Sequence, residues 1–241
     1  MLYIVATPIG NLGDITLRAL ETLKNVDFIL CEDTRVTKNL LAHYKIEKPL
    51  ISYHQHTDAR KTKEIIGLLE SGKNLALVTD AGTPSISDPG AHSFLPLLGG
   101  GQATTPKNLV WWQGRGYSVV PIPGPSAVVA ALSISSLPTD KFVFMGFPPH
   151  KNKRQKFFKE VAEAKHTVVF YESSHRIKKC LAELAQVLSP NRQVVICREL
   201  TKKFESVYRG TISEIASQTI PDKGEFVIVI SPLYKGRTKD G

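Results

Sequence analysis

The chain of 241 residues predicts an α/β fold, and three observations carry that reading. Strand-like and helix-like patterns alternate from end to end. The apolar runs of the first half are each followed by a loop of glycine, proline and oxygen-bearing side chains, as expected of a mostly parallel sheet. Hydrophobic residues make up 42% and charged residues 22% of the chain, the balance of a globular protein with a substantial core.

The elements follow in order. Tyr3-Ile4-Val5-Ala6 reads as a strand, followed by a Gly/Pro loop and a helix from Thr16, an apt N-cap, to about Leu23. Phe28 to Cys31 is the next strand, then a helix around Val36 to Tyr44 and a short strand at Leu50 to Ser52. Residues 59–71 form a helix closed by Gly72 at C′. Leu75 to Thr79 and Tyr117 to Val120 are further strands, and PIPGPS breaks the chain before a small-residue helix from Ala127 to Leu132. The stretch Pro121 to Leu137 is the natural boundary. Beyond it, strands are expected at Phe142 to Phe144, Thr167 to Tyr171, Gln193 to Cys197 and Phe226 to Ile230. Helices near 153–164, 175–188 and 212–217 alternate with them.

Bulk properties narrow the function. The formal net charge is +9, which favours a polyanionic partner. No apolar run approaches the roughly 20 residues that span a bilayer, and MLYIVATPIG enters a strand without a basic leader, so a cytoplasmic protein is expected. Cys31, Cys180 and Cys197 are odd in number and far apart, arguing for a reducing compartment and against a disulfide frame or a zinc site. His54-Gln55-His56 lacks a third ligand at helical spacing, so no metal is expected. Gly67 to Asn74 nearly spells a P-loop, but it runs from helix to strand, the reverse of a phosphate cradle. No GxGxxG occurs, which leaves a dinucleotide site unsupported.

TPIGNLGD (7–14), CEDTR (31–35), DAGTPSISDPG (80–90) and PIPGPSA (121–127) each follow an expected parallel strand. All four therefore lie on the carboxyl edge of the sheet, where open α/β sheets bind ligands. Glycine and proline also simply make turns, but four such loops on one edge, each with oxygen-bearing side chains, are poorly explained by turns alone. Together with SYHQH, YESSHR (171–176) and GEFVIVI (224–230), in this order, they resemble the ribosomal small-subunit RNA methyltransferase I family of the tetrapyrrole-methylase superfamily. The resemblance covers nearly the whole chain apart from about 93–115 and the tail.

That resemblance implies two α/β domains, 1–122 and 123–235 with a tail at 236–241, and a donor cleft between them. It implies S-adenosylmethionine as methyl donor and 2′-O-methylation of a cytidine in the decoding centre of 16S rRNA in the 30S subunit, by a homodimer. By similarity, Pro8, Ile9 and Gly10, then Asp80, Ala81, Gly82, Thr83 and Pro84, and then Ser85 and Ile86 lie on the donor. Ser126 and Ala127 match a small pair placed against it, with Tyr171 and Leu200 on the adenine side. Carbonyl and carboxylate oxygens suit a sulfonium and a ribose diol, and an apolar slot suits adenine. Prolines hold such loops turned, and Gly82 permits close approach or positive φ.

Methyl transfer to a ribose hydroxyl needs oxygen, carbon and sulfur in line, and holding that geometry supplies ~7–11 kcal/mol. A base for the hydroxyl proton adds ~10²–10⁴ in rate. Asp33, His54, Glu172, His175 and Glu199 are candidates, and no single one is singled out. Glu32, Asp33 and Arg35 read equally well as a structural ion pair at a helix start. Arg35, Arg176 and Arg198 bind phosphate or brace carboxylates. The RNA-binding set comprises Arg35, Lys151, Lys153, Arg154 and Lys156, joined by Arg176, Lys202 and Lys203, with Lys159 and Lys178-Lys179 adding to the basic face.

One segment departs from the pattern. Ser93 to Arg115 holds both tryptophans and a triple glycine, and is longer than the expected connection by about fifteen residues. It reads as an atypical insertion, or as an extension whose tryptophans stack on bases. Two rival functions stay open: methylation of a small tetrapyrrole, and a non-catalytic donor- or RNA-binding role if the insertion disables the site.

Overall fold

The computed structural model describes residues 1–54, 57–87 and 117–233. The atypical segment 93–115, the 236–241 tail and His56 lie outside the described residues. The chain divides into two compact units, Met1–Ser126 and Ala127–Gly241.

In the first unit, β1 (Leu2–Val5), β2 (Phe28–Cys31), β3 (Leu50–Ser52), β4 (Leu75–Leu77) and β5 (Val119–Ile122) form one sheet in the order β3-β2-β4-β1-β5. Every pairing is parallel. Side chains alternate across the strands, and both faces are buried. Val5, Ile29, Cys31 and Ala76 join one cluster, where α1 (Leu17–Asn25) supplies Ala19 and Leu23 and α2 (Thr34–His43) supplies Leu41. Leu2, Leu30, Leu75 and Leu77 join the other, where α3 (Ala59–Glu70) supplies Ile65 and Leu69. Burial on both faces explains why these strands read as continuous apolar runs.

The helix ends follow their sequence signals. Thr16, Asp33 and Asp58 cap α1, α2 and α3 by accepting the backbone N–H groups of Ala19, Arg35 and Lys61. Gly72, at φ 89°, closes α3: its N–H reaches the Leu69 carbonyl, and that of Lys73 reaches Leu68, the paired bonds of a Schellman ending.

The second unit is a mixed sheet. It comprises β6 (Phe142–Phe144), β7 (Thr167–Glu172), β8 (Gln193–Arg198), β9 (Ser206–Thr211) and β10 (Phe226–Ile230), ordered β6-β7-β10-β8-β9. Only β6 and β7 pair in parallel. Strand β9 is an addition to the sequence reading: SVYRGT has no apolar run, and as an edge strand it needs none. One face packs on α5 (Arg154–Glu163), α6 (Ile177–Val187) and α7 (Ile212–Ser217) around Phe157, Phe158, Phe170, Leu184 and Ile215. On this sheet, α4 (Ala127–Ile134) packs against β10 and β7.

Candidate functional site

Because the first sheet is parallel, the loops after β1, β2, β4 and β5 emerge on one edge, and three of them are tied together. Thr7 and Gly82 form an antiparallel bridge, the Thr7 N–H donating to the Gly82 carbonyl at 2.9 Å and the Gly82 N–H to that of Thr7 at 3.1 Å. The Thr7 hydroxyl donates to the Thr79 carbonyl at 3.1 Å. The Thr83 hydroxyl reaches the Pro125 carbonyl at 3.5 Å. Pro8, Ile9 and Gly10 thus stand beside Asp80 to Pro84, and Ser126 follows at the end of the β5 loop.

Two glycines make this closeness workable. Gly82 takes φ 81°, with the Ile9 side chain 3.6 Å from where a Cβ would stand. A Cβ on Gly124 would lie 2.9 Å from that of Ala6, so only glycine lets the β5 loop cross β1 here. Next along the β4 loop, Ser85 and Ser87 hold φ of 72° and 54°, strained for residues with a side chain. The Ser85 hydroxyl oxygen is buried with no hydrogen-bond partner, a costly state that a polar ligand would relieve. Ile86 beside it is largely exposed.

The β2 loop joins the same edge. The Asp33 N–H donates to an Asp80 carboxylate oxygen at 3.3 Å. Asp33 caps α2 and takes a bidentate bond from Arg35, with Nη2 to Oδ2 at 2.6 Å. The Arg35 guanidinium, then the Arg35 N–H, hold the Asp33 carboxyl down to about 2. Asp33 is therefore a brace with little proton affinity near neutral pH, and Arg35 is committed to it although its side chain is exposed. His54 follows β3, its N–H donating to the Thr57 hydroxyl at 2.8 Å.

The carboxyl ends of β7 and β8 carry the second unit's candidates. Glu172 overturns one expectation. Its side chain is fully buried, with Oε1 receiving Arg176 Nε at 2.9 Å and the Ser173 N–H at 2.8 Å, and Oε2 receiving Arg154 Nη2 at 3.3 Å. So enclosed, Glu172 is a structural anion and not a base. Arg154 is corrected with it: instead of facing RNA it is buried, bonded to Glu183 at 2.8 Å, to Glu172 and to the Pro149 carbonyl, with Phe158 beneath its guanidinium. Arg176 bonds Glu172, the Ser173 hydroxyl and the Pro148 carbonyl, so it is a brace as well.

Glu199 has φ 53° and accepts the Glu225 N–H at 2.8 Å and Lys202 Nζ at 3.1 Å. Burial pushes its carboxyl up, but the Glu225 N–H and Lys202 outweigh that and leave it below the usual range. Lys202 also pairs with Glu225 at 2.8 Å, and Lys203 lies over the ring of the exposed Phe204. Burial raises the Tyr171 phenol; its ring packs edge-on against Phe144 and Phe147. Leu200 is buried and Ala127 opens α4. Lys151, Lys153 and Lys156 are exposed around the start of α5. His175 lies in the turn before α6.

Comparison with known proteins decides the family. The sequence profile of the tetrapyrrole (corrin/porphyrin) methylases matches residues 1–98 and 108–216. The chain belongs to the tetrapyrrole methylase family. Within it, "Ribosomal RNA small subunit methyltransferase I" of Xylella fastidiosa is 47% identical over 95% of this chain and 80% of its own length. The Synechocystis protein of the same name is 44% identical over 96% and 78%. Among solved structures, cobalt precorrin-4 methyltransferase superposes with a TM-score of 0.65 at 19% identity, covering 95% and 94% of the two chains. Uroporphyrin-III-C-methyltransferase of Thermus thermophilus gives 0.58 at 18%, covering 95% and 93%.

This methylase is thus an enzyme that transfers methyl groups, and its two sheets match the two-domain fold of those structures. Sequence reasoning passed over Thr7, whose hydroxyl and backbone both hold the β4 loop, and Glu183, which completes the pairing of Arg154. Thr7 stands in a quoted loop and was legible as a polar residue between a strand and a proline. Glu183 carried no signal, being one acid on an amphipathic helix.

Proposed function

We propose that this methylase transfers a methyl group from S-adenosylmethionine to the ribose 2′-hydroxyl of a cytidine in the decoding centre of 16S rRNA, acting on the 30S subunit in the cytoplasm as a homodimer. The observation that carries the substrate is near-full-length identity to relatives named for small-subunit rRNA methylation. The net charge of +9 agrees with a polyanionic acceptor, and no helix among the described residues is long and apolar enough to cross a membrane.

The residues present fit the donor. The buried Ser85 hydroxyl lacks a partner, and Asp80 supplies a carboxylate at the same edge, on a loop whose turn Gly82 allows at φ 81°. Ser126, at the end of the β5 loop, is a further proposed donor contact. When bound, the donor supplies an electrophilic methyl on a cationic sulfur. This chain's part is to hold the acceptor oxygen in line, to exclude water and to take the hydroxyl proton. Asp33, Glu172 and Glu199 are each committed to cations or backbone donors. Of the two remaining candidates, His54 and His175, we assign the proton to His54, because it lies on the β3 loop at the same sheet edge as the donor loops. Lys151, Lys153, Lys156 and Lys203 face the RNA.

The test is incubation with methyl-labelled S-adenosylmethionine and 30S subunits lacking the modification, followed by mapping of the label. Label on one decoding-centre ribose is expected. Label on a base, or none on RNA alongside transfer to a small tetrapyrrole, would replace this function.

A further inference from the structure

A groove of about 870 Å³ runs beside α2 in the first unit, and no part of the activity described above uses it. Its floor is apolar, with Leu41 and Ile46 buried beneath it. Its walls carry three lysines, Lys38, Lys45 and Lys48, against a single carboxylate, Glu47. Among the described residues none of the three lysines makes an ion pair; Lys48 acts on Asp27 only at a distance. By contrast, Arg35, Arg154, Arg176 and Lys202, which look as basic in the sequence, are all neutralised by carboxylates.

Lys45 adds a second, independent observation. It sits just past the C-terminus of α2 at φ 54°, its N–H donating to the Ala42 carbonyl and the next N–H, of Ile46, to Leu41. This is the same ending that Gly72 gives α3, with lysine in the left-handed position that glycine favours. An L side chain there is strained where glycine would not be. The residue so strained is one of the three lysines that line the groove.

The groove also leads from the candidate site. It begins at Thr34, next to Asp33, whose N–H bonds the Asp80 carboxylate of the donor loop. It then follows the ten residues of α2, about 15 Å at 1.5 Å per residue. Lys38 stands midway along α2, and Lys45 and Lys48 follow just beyond its end; three ammonium groups in that order suit a chain of phosphates better than one small anion, and an apolar floor suits sugars. We propose that this groove binds the sugar-phosphate backbone of the rRNA strand flanking the methylated nucleotide. The inference rests on the rRNA reading above.

The experiment compares wild type with Lys38→Ala/Lys45→Ala/Lys48→Ala, and with a control lacking the exposed Lys24, Lys63 and Lys165. Binding to unmodified 30S subunits and to naked 16S rRNA is measured across salt. Three lost phosphate contacts, at about 0.7 each, lower the salt slope by about 2 and narrow the gap between wild type and variant roughly twentyfold from ~50 to ~200 mM salt. KM for subunits rises while donor affinity holds, and the control stays near wild type. Lys45→Gly alone is expected to melt higher yet bind RNA more weakly, which no purely structural role would produce. An unchanged slope in a folded triple variant overturns the groove and leaves the rRNA function intact. Loss of binding to subunits but not to naked rRNA also overturns it, in favour of a ribosomal-protein contact. If wild type itself shows no salt-dependent binding to either RNA form, the rRNA function fails first.

Discussion

Replacing Arg154 by Met should damage stability far more than RNA binding, although Arg154 lies in a run of basic residues. The side chains of Arg154 and Glu172 are 5% and 0% exposed. The replacement removes bonds to Glu183 at 2.8 and 3.1 Å, to Glu172 at 3.3 Å and to the Pro149 carbonyl at 3.1 Å. Breaking a buried pair by deleting one partner costs about 3–5 kcal/mol, because the other charge is stranded. Here Arg176 and the Ser173 N–H still serve Glu172 Oε1, and methionine keeps apolar contact with Phe158, so the lower end applies: about 3 kcal/mol. Against a total stability of about 5–15 kcal/mol, that is a fall in Tm on the order of 10 °C. Circular dichroism melts and urea titrations would read it. Adding Glu172→Gln should cost less than the sum of the single changes, since it removes the stranded charge. A folded Arg154→Met variant that melts within a degree or two of wild type, with a shallower salt slope for subunit binding, would refute the reasoning and restore Arg154 to the RNA face.

Ser85→Ala should leave stability unchanged or slightly raised, because it deletes a buried hydroxyl without a partner, while weakening S-adenosylmethionine binding up to about tenfold by calorimetry. His54→Ala should lower kcat by roughly 10²–10⁴ with donor affinity retained; single-turnover transfer to 30S subunits checks it. Asp33 titrates from about 2 in the folded chain against an ordinary 3.8. Its pKa is depressed, so its contribution to stability is full above about 4 and is lost as pH falls through 2. Arg35→Ala should move that titration up toward 3.8 in a carboxyl-resolved NMR experiment.

The sequence by itself determined the elements whose signals are local. Continuous apolar runs marked β2, β6 and β10 at their observed limits, since burial on a sheet leaves a pattern no neighbour needs to explain. Thr16 and Gly72 announced helix ends because capping and left-handed backbone are properties of one or two residues. The loops of the sheet edge were legible for the same reason, their prolines and glycines setting the backbone directly. Three matters lay beyond such signals. Strand β9 owes its existence to pairing with β8, from Gln193 with Thr211 to Arg198 with Ser206, and no apolar pattern in SVYRGT records that partner. The fate of each cation depended on what the fold brought near it. Arg154 and Lys153 are neighbours in one basic run, yet α5 turns Arg154 inward onto Glu172 and Glu183, 18 and 29 residues away, while Lys153 stays in solvent. Likewise Lys38, Lys45 and Lys48 looked ordinary in the chain. Only the packing of α2 and its loop beside β3 set them around one groove, because charge acts through space and the sequence gives distance only along the chain.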